Sequence, residues 1–106
     1  MARAIVHVPK TARRGEAVEI RTLVRHDMET GFRRDYLGKP LPRDIITSFV
    51  CTYNGAEIMR AELHPAIAAN PLLAFSTVAT DSGTIECRWT GDNGFAVTAA
   101  ATISVV

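Results

Sequence analysis

The chain has 106 residues, with twelve Lys and Arg against eleven Asp and Glu, a formal net charge of +1, and 47% hydrophobic side chains. That length predicts one domain over residues 1–106 with a single core, and leaves no room for a second catalytic domain. Neither charge sign forms a long run, no apolar stretch approaches the roughly 18–20 residues of a membrane span, and the N-terminal residues lack a signal-peptide core. Partners of the nucleic-acid or membrane class are therefore not expected.

In chain order, the first strand-type segments are Ala4 to Val8 and Ala17 to Arg25. Between Arg25 and Ile45 lies the one long connection, which contains Gly31, Gly38, Pro40 and Pro42 and has room for a short hairpin around Leu37 to Lys39. It mixes Met28, Phe32, Tyr36 and Leu41 with Arg33, Arg34, Asp35 and Arg43, a composition that suits an interface better than a free linker. Ile45 to Tyr53 follows and runs into Asn54 and Gly55, a pair that tolerates positive φ and favours a tight hairpin to Glu57 to Leu63.

Next comes a proline-bounded segment, Leu63 to Pro71, and the overlapping stretch Ala61 to Asn70 has room for one helical turn. The remaining strands are Leu72 to Thr80, Thr84 to Thr90 and Phe95 to Val105, the last two separated by the turn Gly91 to Gly94. Alternation points Ile85, Cys87 and Trp89 inward, and groups Phe95, Val97, Ala99, Ala101, Ile103 and Val105 on one face. About seven short strands with little helix predict an all-β, antiparallel β-sandwich.

The side chains that carry chemistry are sparse. His7, His26 and His64 stand far apart, and Cys51 and Cys87 form no Cys-x-x-Cys pair. A metal site, including the four-histidine, one-cysteine iron site of the β-sandwich superoxide reductases, lacks its ligands. No serine occupies a strand-to-helix elbow, and no glycine-rich phosphate loop is present, so neither an enzyme nor a cofactor is expected. Cys87 reads either as a small core residue beside Trp89 or as half of an intersheet disulfide with Cys51. Asp27, Glu29 and Asp35, interleaved with Arg25, Arg33 and Arg34, read as an ion-paired loop. His64, before Pro65, reads as a backbone-bonded strand end, and Trp89 as a core plug.

Five blocks in order, Arg13 to Glu16, His26 to Gly31, Pro42 to Ile46, Cys51 to Gly55 and Leu63 to Pro71, are similar to the SoxZ family across nearly the whole chain. The resemblance implies an immunoglobulin-like sandwich that forms a heterodimer with SoxY, the subunit whose C-terminal cysteine arm carries sulfur intermediates in thiosulfate oxidation. The present sequence ends in Ser104, Val105 and Val106 without such a cysteine, so the expected role is the non-carrying subunit, with transient contacts to other Sox enzymes. It also implies the periplasm, reached by export together with SoxY, where a Cys51 to Cys87 bridge is chemically permitted. The expected partner surface is Met28, Phe32, Tyr36, Leu41, Leu63, His64 and Ile67. A generic immunoglobulin-like binding or adhesion module is the alternative.

Overall fold

The structure is a computed structural model that describes residues 3–64, 67 and 69–106. Its strands are β1 (Ala4–His7), β2 (Thr11–Ala12), β3 (Ala17–Val24), β4 (Ile46–Tyr53), β5 (Ala56–Glu62), β6 (Leu72–Val78), β7 (Gly83–Gly91) and β8 (Ala96–Val105). One sheet has the order β1-β3-β6 and the other β2-β8-β7-β4-β5. All pairings are antiparallel except β2 with β8. The architecture is an all-β, immunoglobulin-like sandwich. Seven strands were expected and eight are found among the described residues, because two-residue β2 is too short to show any alternation.

The pleat explains most of the core. In β3, Val18, Ile20, Thr22 and Val24 are buried while Glu19 and Arg21 face solvent. Ile85, Cys87 and Trp89 of β7 point inward, as their parity requires, and the odd-numbered residues of β8 turn to the same side. In β4 the parity changes: Ile46 is buried, and so are Phe49, Cys51 and Tyr53. A register shift between Ile46 and Ser48 inserts the extra residue that moves the inward set from even to odd positions. Phe49 then lies 5.2 Å from Trp89 in its own sheet and 6.0 Å from Phe75 of β6 in the other, ring centre to ring centre. This aromatic contact joins the layers. Burial of each such ring contributes about 3 kcal/mol.

Local turn chemistry sets the register around it. Asn54 (φ 50°) and Gly55 (φ 86°) form a two-residue hairpin that pairs Tyr53 with Ala56. Asp92–Gly94 makes one 3-10 turn between β7 and β8, with Asn93 and Gly94 at positive φ. Of the helical turn expected within Ala61 to Asn70, Pro65, Ala66 and Ala68 lie outside the described residues. Ala61 and Glu62 belong to β5, and the Ile67 N–H donates to the His64 carbonyl at 3.0 Å.

The molecule is elongated, about 59 × 24 × 18 Å, with a radius of gyration of 16.2 Å. A compact chain of this length has about 13 Å.

Candidate functional site

The long connection folds into an irregular two-legged arm. Glu29 bridges Asp44 in both directions, each N–H donating to the other carbonyl at 2.8 Å, and farther out Arg34 bridges Pro40. The Leu41 N–H donates to the Arg33 carbonyl at 2.9 Å between these two points. At the tip, the Asp35 carboxylate accepts from the N–H groups of Leu37 (2.8 Å) and Lys39 (3.0 Å), an arrangement that lets one acid hold the whole turn with Gly38 at positive φ. The hairpin expected around Leu37 to Lys39 is therefore present. Gly31 is required where the legs meet: its φ is 87°, and a Cβ there would stand 3.1 Å from Cβ of Arg43.

Ion pairs stiffen the arm from within and at its root. Arg33 pairs with Glu29, whose carboxyl that guanidinium holds below its ordinary range. At the root, the Asp92 carboxylate accepts from Arg43 Nε (2.8 Å), from Arg43 Nη2 (2.9 Å) and from the Ile45 N–H (3.1 Å). The charged hydrogen bonds of Arg43, then the Ile45 N–H, depress the Asp92 pKa.

What this frame presents is apolar. Phe32 is 85% exposed, Tyr36 94% and Leu37 65%. Leu41 is half-buried. Met28 and Leu63, both expected on the partner surface, are instead core residues. Met28 adopts φ 53°, which turns its side chain inward, where its sulfur accepts the Ile46 N–H at 3.3 Å. Leu63 extends the β5 ladder by donating its N–H to the Thr47 carbonyl. His64 and Ile67 are exposed, at the opposite end of β5 from the Asn54–Gly55 turn. Leu37 had been read only as part of a turn. Its place beside the Asp35 acceptor and Gly38 is the signal that puts it at the tip.

The histidine that the fold builds in is His26, not His64. Its side chain is 6% exposed, its Nδ1 accepts the Met28 N–H at 2.9 Å, and its Nε2 lies 3.6 Å from Asp44 Oδ1. Phe95 packs edge-on against the ring at 4.8 Å and carries the Arg3 guanidinium on its face at 5.2 Å. Together with Arg25 and Asn70 these residues line an open cleft of about 490 Å³. The Asn70 side chain accepts the His26 N–H and the His26 carbonyl accepts the Asn70 N–H, so these two bonds fasten the β3 exit to the β6 entry.

Cys51 and Cys87 are direct register partners on adjacent strands of one sheet, so the intersheet placement that the disulfide alternative assumed is corrected, while Cys87 lies in the core, as its other reading requires. Both thiols are free and fully buried, with Sγ atoms 3.1 Å apart. The hydrogen bond that Cys87 donates, reinforced by burial, pushes its pKa far above the ordinary cysteine range. A thiolate at Cys87 is therefore strongly disfavoured.

Comparison with solved structures supports the architecture. The superoxide reductase (neelaredoxin) from Ignicoccus hospitalis superposes with a TM-score of 0.70 at 14% identity, covering 97% of this chain and 80% of that one. The sulfur carrier protein SoxY from Chlorobium limicola f thiosulfatophilum superposes with a TM-score of 0.70 at 10% identity, covering 100% and 81%. At these identities the likeness carries the fold alone. Among the described residues no group of three or more His, Cys, Asp and Glu is gathered to hold a metal ion. A search of curated proteins by sequence found no match. The model of the sulphur oxidation protein SoxZ matches residues 6–102, and the chain belongs to the SoxZ family of sulphur oxidation proteins.

Proposed function

We propose that this chain is the non-catalytic subunit of a sulfur-carrier complex, binding SoxY and supporting it while SoxY's cysteine arm carries the sulfur intermediate. The observation that carries this reading is the arm between β3 and β4. Its hydrogen bonds and ion pairs are satisfied internally or at its root, while Phe32, Tyr36 and Leu37 stand in solvent without burying apolar area on their own domain. Exposed aromatics on a frame stiffened in advance bind with little ordering cost, which is how partner surfaces reach useful affinity. Family membership supplies the sulfur-oxidation context.

In this reading the chain contributes no nucleophile and no acid–base pair. The two buried thiols face each other, and His26 is committed to the Met28 N–H and the Phe95 ring. The complex works in the periplasm, and this subunit travels there with SoxY. Co-expression tests both statements: one equimolar SoxY complex is expected on size-exclusion chromatography, in the periplasmic fraction only when SoxY keeps its signal peptide. Two separate peaks at micromolar concentration would overturn the pairing, and export of this chain alone would overturn the shared route.

A further inference from the structure

β6 is an edge of the three-stranded sheet. A sandwich of two open sheets has four edges, and exposed edges invite pairing with another strand unless they are blunted. Two of them are blunted: β1 has four residues and is followed shortly by Pro9, and β5 carries Glu57, Arg60 and Glu62 along its length. β2 is two residues long and covers β8 only at Ser104 and Val105. The β6 edge is the one whose outward residues complement themselves: Leu72–Val78, just after Pro71, is seven residues without a charge or a proline. It pairs with β3 on one side only, and no described residue pairs with its other side.

We infer that β6 pairs with β6 of a second copy of this chain, antiparallel about a two-fold axis at Phe75, to make one continuous six-stranded sheet. The register that places Phe75 opposite itself sets Leu72 against Val78 of the second copy and Ala74 against its Ser76. The outward face then matches row by row. Ile5 lies opposite Leu23 and Leu23 opposite Leu72, so the exposed row Ile5, Leu23, Leu72 continues into the second copy's Val78 and Ala17. In the next row Arg21 stands opposite Ala74, and Glu19 opposite Ser76. Arg21 and Glu19 pair with each other within each chain at 2.5 Å. In the dimer the two pairs run antiparallel about 14 Å apart, three strand spacings, so Arg21 of one copy shares a row with Glu19 of the other and no row sets like charges against each other.

The pairing thus complements charge and joins apolar to apolar. On the inner side, half-buried Phe75 meets its copy. Two copies can approach without like-charge repulsion, because β6 itself carries no charge.

The test is sedimentation equilibrium on the full chain alone, from about 1 to about 100 µM, a range that brackets the Kd of a small strand-paired contact. Wild type is expected to approach twice the 11.5 kDa chain mass. The pair Ala74→Lys with Ser76→Lys places like charges opposite each other in the proposed register, and is expected to give the single-chain mass. The pair Ala74→Glu with Ser76→Lys places opposite charges there, and is expected to restore the doubled mass. Circular dichroism and Tm close to wild type show that both variants fold, since both side chains are exposed.

A single-chain mass for wild type throughout would overturn the inference, as would the two variants associating alike. A wild-type chain that stays single but loses its SoxY complex on Ala74→Lys with Ser76→Lys would also overturn it, and would assign the β6 edge to that partner. The arm-tip reading is distinguishable, because it concerns Phe32 and Tyr36 and is read by SoxY binding.

Discussion

Tyr53 shows how much a single side chain does in this fold. It is 5% exposed at the end of β4, and its hydroxyl donates to the Asp81 carbonyl (2.5 Å) while accepting the Thr80 N–H (3.3 Å). The ring belongs to the core and the hydroxyl holds the β6–β7 loop over it. Tyr53→Phe keeps the ring and strands both backbone groups, so a loss of about 1–2 kcal/mol is expected in urea unfolding. A stability unchanged within error would show that water replaces the hydroxyl without cost. Trp89 differs: its indole N–H has no hydrogen-bond partner among the described residues, and its contribution rests on burial and on contact with Phe49. Both residues were legible as strand positions, and parity assigned Trp89 its inward face. The partners of the Tyr53 hydroxyl were not, because they lie 27 and 28 residues away in a loop without periodicity. The same blindness to backbone conformation explains Met28. An apolar side chain in a polar connection reads as exposed, whereas its positive φ sends it into the core.

At the scale of elements, the strands were readable because their faces alternate, and the Asn54–Gly55 hairpin because its dihedrals demand those residues. The arm was readable as one long connection with a hairpin inside it. Its root was not, because Asp92 reaches it from the β7–β8 turn, 49 residues away from Arg43 in sequence. That bond gives the arm a pH dependence of definite sign. The folded-state pKa of Asp92 lies below that of an unperturbed aspartate, so the contribution is complete above the unperturbed value and is lost as pH falls through the lower, folded one. Asp92→Asn removes the titrating group, so between about pH 6 and about pH 3 the variant is expected to lose less Tm than wild type. Equal losses by differential scanning calorimetry would mean that the Arg43 contact does not favour the carboxylate.

For the whole molecule, the two faces divide the work. The sandwich core is closed by Phe49, Trp89 and Phe75, and the chemistry-bearing residues inside it are either buried or committed to one another. The proposed function is carried by a surface, the arm with its exposed aromatic tip of Phe32 and Tyr36. The central claim is that this tip binds SoxY, and calorimetric titration of SoxY with Phe32→Ser, Tyr36→Ser chain tests it most directly. Both side chains are almost fully exposed, so Tm is expected to stay at the wild-type value while Kd rises about 100-fold, as two aromatic anchors of ~1–2 kcal/mol each require. A Kd equal to that of wild type at unchanged Tm would contradict the account.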